Sequence, residues 1–297
     1  MKEQLSILLP TYNCRCVELV QELHRQCEEE HAHLDYEIIV ADDGSSQQSF
    51  VQENKVIETL PHVRYLIRKD NTGRAAVRNF LVTQARYEWL LFIDGDLTLH
   101  APHFIKDYQQ APGEVVVGGL QIADNDNRWH DNLRYRYEKR CEQSHDAAHR
   151  QRQASKEFRT TNFLIARHIM QECPFDEHFR HYGYEDVLLG KSISAKGYPI
   201  THINNPILLD DFEDNYQYLL KVEESCRTLY TFRHELKGYS TLIDWTRRIR
   251  LLSPLIRWIY PLLSLHIKSR LTGNKPSIFL FNMYKLIYYT HLNEPTP

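Results

Sequence analysis

Neither sign of charge dominates this chain. Its 36 lysines and arginines against 39 aspartates and glutamates leave a formal charge of −3, so it lacks the cationic excess of a protein built to coat nucleic acid. Paired metal-type cysteine spacing is missing too. Cys14, Cys16, Cys27, Cys141, Cys173 and Cys226 are scattered, with only the first two close together, which argues against a zinc centre and fits a reducing compartment. The opening MKEQLSILLPTYN has too short an apolar run for a secretory signal, so the expected location is cytoplasmic. No stretch supplies the ~20 apolar residues that span a bilayer, and no internal repeat is visible. What remains is 297 residues, 42% hydrophobic and 25% charged, enough for one large domain or two small ones.

The first 120 residues alternate short aliphatic runs with longer helical patterns. The runs are LSILLP (5–10), YEIIVA (36–41), VRYLI (63–67), WLLFI (89–93) and EVVVGG (114–119). Between them lie VELVQELHRQCEEE, the segment 47–60 and RAAVRNFLVTQA. Continuous apolar strands separated by helices predict a parallel sheet covered on both faces, an α/β fold. Ligands of such sheets bind outside the carboxyl ends of the strands. The loops that matter are then PTYN, DDGSS, RKDNTGR and DGD, one after each of the first four strands. From 124 to 161 the chain turns polar, read as a helix over NLRYRYEKRCEQ and otherwise as surface loop. NFLIARHIM, GYEDVLLGKSISAKGYPITHI and a long helix over about 213–236 follow.

In LLFIDGDL an apolar strand ends on Asp94 and Asp96 with Gly95 between them. Two carboxylates on such a turn can aim at one divalent ion, and Mg²⁺ prefers few protein carboxylates with several phosphate or water oxygens; an ordinary Asp-Gly turn explains the same residues. VADDGSS offers Asp42 and Asp43 to a nucleoside, while Ser45 or Ser46 is expected to cap the following helix. NTGRAAVRN places Arg74 and Arg78 at i and i+4 on the helix after Gly73, either a diphosphate site at a helix N-terminus or a solvated face. Glu185 and Asp186 of GYED are either functional acids or favourable charges in a first helical turn.

ILLPTYN, ADDGSS, NTGRAAVRN, FIDGDL and GYEDVLLG, in this order and over residues 4–210, resemble the family 2 glycosyltransferases, inverting nucleotide-sugar enzymes of the GT-A fold. The resemblance implies a mostly parallel, Rossmann-like central sheet flanked by helices, followed by a helical C-terminal extension. It assigns Pro10, Thr11 and Tyr12 to the wall around the base, Asp43 with Asp42 beside it to the nucleoside, and Arg78 to the nucleotide side. Asp94 and Asp96 match the family's DxD pair, holding Mg²⁺ or Mn²⁺ on the sugar diphosphate. Asp186 matches its general base, and Glu185 is a candidate for contacting the acceptor. The implied partners are a nucleotide-sugar donor, by default a UDP-sugar, and a glycan or lipid-linked acceptor in surface polysaccharide synthesis.

One departure matters. Where many members of the family carry a metal-binding histidine, this chain has Leu209, Asp210 and Asp211, with His202 seven residues before Leu209. Either an aspartate substitutes, or the DxD pair and diphosphate hold the metal alone, or the metal is held weakly. The expected division is a catalytic domain over 1–212, with a nucleotide-sugar half (1–120) and an acceptor half (121–212), and a basic, hydrophobic extension over 213–297. In that extension Arg247, Arg248, Arg250, Arg257, Lys268, Arg270 and Lys275 interleave with aliphatic and aromatic residues. Such a segment either lies peripherally on the inner face of a membrane or packs on the catalytic domain or a second subunit. Two other functions compete: a sugar nucleotidyltransferase, against which PTYNCRC lacks the glycine-rich basic loop, and a non-catalytic nucleotide-sugar binder, against which the set of acids is intact.

Overall fold

The computed structural model describes residues 1–292. Its first half runs β1 (Gln4–Thr11), α1 (Val17–Glu29), β2 (Asp35–Asp42), α2 (Gln48–Asn54), β3 (Val63–Ile67), α3 (Arg74–Gln84), β4 (Trp89–Ile93), α4 (Phe104–Gln110), β5 (Val115–Val117) and β6 (Leu120–Ile122). Then come α5 (Asp126–Trp129), α6 (Leu133–Cys141), α7 (Ala147–Gln151), β7 (Asn162–Ala166), α8 (Arg167–Glu172), α9 (Glu185–Ala195), β8 (Ile200–His202) and β9 (Ile207–Leu209). Helices α10 (Asn215–Thr231), α11 (Thr241–Arg248), α12 (Ser253–Thr272) and α13 (Ile278–Leu292) complete the described chain.

The chain forms two compact units. The first comprises Met1–Ala123, Gln143–Arg180 and Glu185–Asp210, the second Asp124–Glu142, His181–Tyr184 and Asp211 onward. A catalytic domain was expected to run unbroken to residue 212; here 124–142 and 181–184 cluster instead with the C-terminal helices. The expected strands and the first three helices form close to their sequence positions.

In the first unit a seven-stranded sheet has the order β3-β2-β1-β4-β7-β5-β8. The pairs β1/β2, β1/β4, β2/β3 and β5/β8 are parallel, whereas β7 is antiparallel to both β4 and β5. The sheet is thus mostly parallel and carries one reversed strand. All five residues of β7 are buried, as are Leu90, Leu91, Phe92 and Ile93 of β4, which explains runs without polar alternation. Phe92 and Phe163 stack across the β4/β7 pair at 4.8 Å and 5°, and Leu8, Ile39, Val77, Leu81 and Ile165 fill the surrounding core. A second, two-stranded sheet pairs β6 with β9 in parallel.

The second unit is helical. α13 packs against α10, α11 and α12, with Leu219, Val222, Cys226 and Leu229 of α10 and Phe281, Tyr284 and Tyr288 of α13 buried. Glu223 accepts a hydrogen bond from the Tyr284 hydroxyl at 2.5 Å and pairs with Lys268 Nζ at 2.7 Å.

Candidate active site

Strand β1 is flanked by β2 on one side and β4 on the other, so the order of connection reverses there. Open α/β sheets bind ligands at such a switch point. The loops after β1 and β4 touch: Gly95 N donates to Pro10 O at 3.3 Å, and Asp94 N donates to Thr161 O at 3.1 Å. Glycine between the two aspartates has a steric cause. A Cβ at Gly95 would lie 2.5 Å from Thr11 Cγ2 and 3.1 Å from Pro10 O. Thr11 itself is buried and Tyr12 is 46% exposed beyond it, which leaves an aromatic face at the rim for stacking.

The two acids after β2 are both buried and both committed. Asp42 accepts from Ser45 N at 2.7 Å, Ser45 Oγ at 2.6 Å and the Tyr65 hydroxyl at 3.3 Å. Asp43 pairs with Arg68 at 2.6 Å and accepts from Thr72 N, Thr72 Oγ1 and Gly73 N at 3.1, 3.0 and 2.9 Å. Asp43 therefore shapes the loop that begins α3. Helix α2 has no side-chain cap, contrary to the expectation for Ser45 and Ser46. Ser45 Oγ instead accepts from Asn13 N at 2.8 Å, and Asn13 Nδ2 donates to Ser46 Oγ at 3.0 Å. Asn13, at φ 48°, thus ties the β1 loop to the β2 loop.

Arg74 and Arg78 part company. Arg74 is exposed on the first turn of α3, after Gly73 at φ 93°. Arg78 is 1% exposed and reaches Asp94 Oδ1 at 2.6 Å and Glu185 Oε1 at 3.3 Å, with its guanidinium over the Phe175 ring at 5.5 Å. Neither a solvated face nor direct access to a nucleotide describes it. It is a buried bridge between the DGD turn and the start of α9, with Nε left without a hydrogen-bond partner.

The turn into α9 is left-handed at both Gly183 (φ 99°) and Tyr184 (φ 70°). A tyrosine in that region stores strain of a kind that clusters at functional sites. Glu185 is buried, and Asp186, half-buried, accepts from Val187 N at 2.8 Å. Burial, and then the charge of Glu185, push the Asp186 carboxyl up to about 6 against the pull of Arg159 and Arg78. An acid so raised is poised for proton transfer near neutrality.

Among the described residues no three His, Cys, Asp or Glu side chains converge as a metal cage. The donor set nevertheless fits an open Mg²⁺ or Mn²⁺ site, because Asp96 is exposed and Asp94 is partly so, and both offer hard oxygen ligands. His202 is excluded as a ligand: Arg150 Nη1 lies 2.6 Å from its Nδ1, and its Nε2 sits 2.9 Å from Ala154 O. Asp211 is exposed and pairs with Arg128 at 3.3 Å. Asp210 is different. Both its oxygens accept from Thr98 Oγ1 at 3.0 Å, and Thr98 and Leu208 exchange backbone hydrogen bonds at 2.9 Å in each direction. That bridge pairs Asp210 with Thr98, which lies two residues beyond Asp96 of the DGD turn. Thr98 escaped notice in the sequence, where only its nearness to DGD could have signalled it, and Asn13 and Arg68 lay within the PTYN and RKDNTGR loops without being singled out.

The family model described as glycosyl transferase family 2 matches residues 6–182. A chondroitin synthase of Escherichia coli is 35% identical over 109 residues, 36% of this chain and 15% of that protein. A validoxylamine A glucosyltransferase of Streptomyces hygroscopicus subsp. jinggangensis is 27% identical over 226 residues, 66% of this chain and 53% of that one. The chain thus spans from about a seventh to about half the length of these curated relatives. Among solved structures, a mannosyltransferase from Pyrobaculum calidifontis in complex with GDP-Man and Mn²⁺ matches with a TM-score of 0.56 at 13% identity, covering 98% of this chain and 85% of that one. S. aureus TarS 1–349 in complex with UDP-GlcNAc matches at 0.52 and 14% identity, covering 97% and 90%. These likenesses show the fold, a mostly parallel GT-A sheet with flanking helices.

Proposed function

The chain belongs to glycosyl transferase family 2, and on that footing we propose that this glycosyltransferase moves a sugar, with inversion at the anomeric carbon, from a nucleoside diphosphate to a hydroxyl of a glycan or lipid-linked acceptor. The observation that carries the reading is the buried bridge from Asp94 through Arg78 to Glu185. It fixes the donor-side turn and the acid pair of α9 in one frame, as a direct displacement demands.

Asp94 and Asp96 would hold a divalent ion, with Asp210 nearby through Thr98. When bound, the ion stabilises charge on the departing diphosphate without proton transfer. Arg78 acts through Asp94, which it orients and partly neutralises. Pro10, Thr11 and Tyr12 form the wall for the base, Asp43 and Asp42 organise the nucleoside loop, and Gly73 and Arg74 present the start of α3 to phosphate. Because Arg78 engages Glu185, the proton of the attacking hydroxyl falls to Asp186, ionised above about pH 6. Glu185 then aligns Asp186 and the acceptor. Residues 1–120 serve the donor and 121–212 the acceptor. A UDP-sugar is the default donor, and surface polysaccharide synthesis the setting.

The test is a panel of radiolabelled UDP- and GDP-sugars with mixed glycan and lipid-linked acceptors, with and without Mn²⁺. Transfer to an acceptor is expected. Pyrophosphate release from a nucleoside triphosphate and a sugar phosphate, or binding with no turnover on any acceptor, overturns the reading.

A further inference from the structure

We propose that the outer face of α12, together with the turn leading into it, docks on an anionic membrane surface. Ser264, Ile267 and Leu271 of α12 are buried, where the helix packs on α10 and α13. Its opposite side carries Leu255, Trp258, Leu262 and Leu265, 56%, 73%, 72% and 76% exposed, preceded by Leu251 at 89%. Steps of three, four and three residues align Leu255, Trp258, Leu262 and Leu265 along one stripe of α12, with Leu251 in the 3-10 turn just before it. Scattered exposed leucines are ordinary, but a continuous stripe with a tryptophan at its centre marks an interaction surface.

Charge decides what fits there. From Trp245 to Asn293 the sequence has no aspartate or glutamate. Arg247, Arg248 and Arg250 are exposed just before the stripe and Arg270 beyond its far end, whereas Lys268 is turned away to Glu223. A second copy laid against this face would bring arginine to arginine with only Asp244, one exposed acid against four exposed arginines, to pair them. Lipid phosphates over an acyl boundary meet both demands. Trp245, 53% exposed, and Trp258 have the amphipathic rings that settle at that boundary. Among the described residues no helix is long and apolar enough to cross a membrane, and Pro261 interrupts the hydrogen-bond ladder of α12, so the helix lies in the plane of the interface.

This inference does not depend on sugar transfer, because vesicle binding needs neither donor nor acceptor. The experiment floats the full chain with phosphatidylglycerol-containing vesicles and with pure phosphatidylcholine vesicles, at low and at physiological salt. Binding is expected only to the anionic vesicles and is expected to weaken with salt. The L255S/W258S/L262S variant should partition at least ~10-fold less, and each of R247Q, R248Q and R250Q should lower partitioning ~5-fold. Intrinsic fluorescence should shift to the blue on anionic vesicles, and W245F/W258F should lose that shift even if the serine variant proves unstable. Wild-type protein left unbound at low salt overturns the proposal. So do equal binding to both vesicle types and a dimer in solution that the serine variant converts to monomer.

Discussion

Arg78 is placed where one side chain would serve both stability and, on the proposed reading, chemistry. Its guanidinium is buried between two carboxylates, and removing one partner from a buried ion pair strands the other charges at ~3–5 kcal/mol. Arg78→Met should therefore lower the unfolding midpoint and cut turnover, while Arg78→Lys, unable to span both acids, should fold better than Met yet stay impaired; chemical denaturation and steady-state rates check both. Asp186 separates function from stability. Asp186→Asn keeps the size but cannot take a proton, and turnover should fall ~10² to 10⁴-fold. The wild-type kcat/KM should drop as pH falls through about 6, where the raised carboxyl protonates. The stability sign is opposite. With its folded value raised by burial and Glu185, Asp186 favours the folded state at low pH, and that contribution is lost as pH rises from the ordinary carboxylate range through about 6. The Asn variant should thus be no less stable than wild type at pH 7, and up to ~1–2 kcal/mol more stable. A variant that keeps more than about a third of wild-type transfer would remove Asp186 from the role of base.

At the scale of elements, the site depends on how closely β1 and β4 end beside each other. Gly95→Ala must push a methyl to within 2.5 Å of Thr11 Cγ2, and overpacking of this kind costs ~1–3 kcal/mol. Thr11→Ser removes that methyl, so the double variant should recover part of both stability and rate; full additivity of the two single changes would show that the crowding is not shared. Much of this arrangement was legible in the sequence. Unbroken aliphatic runs ending on PTYN, DDGSS and DGD located the strands and the sheet edge, because buried parallel strands have no polar face to alternate. The direction of β7 was not legible, since NFLIA reads the same whichever way it pairs. Nor was the fate of Asp43 and Arg78, whose partners Thr72, Asp94 and Glu185 are set by loop approach rather than by spacing, whereas Asp42 bonds Ser45 three residues on, inside DDGSS itself. Asp210 was one of two adjacent aspartates in the sequence; the Thr98–Leu208 bridge and the Thr98 hydroxyl distinguish it from Asp211, which pairs with Arg128.

Over the whole molecule, the four loops at the sheet edge belong to the first unit and the basic, apolar stripe to the second. Ligand binding and surface binding should then be separable in one protein. A ligand that binds only folded protein stabilises it by RT ln(1 + [L]/Kd), ~2.7 kcal/mol at 100 times Kd, which for a unit of this size raises the melting midpoint by roughly 5–10 °C. The productive nucleotide-sugar should give such a shift with Mn²⁺ and a smaller one with chelator, since on the proposed reading the exposed Asp96 and the half-buried Asp94 would share the metal with the diphosphate. Asp96→Ala should abolish the metal-dependent part, removing one of two protein charges from the ion. Thr98→Val frees Asp210 from its hydrogen bonds and, if that carboxylate assists the metal, should alter the Mn²⁺ concentration required without changing the limiting shift. Replacing Leu255, Trp258 and Leu262 by serine should leave the nucleotide-dependent shift intact. Scanning calorimetry distinguishes these outcomes by reporting each transition: a nucleotide shift that persists unchanged in Asp96→Ala with Mn²⁺ present would take the DGD turn out of metal binding.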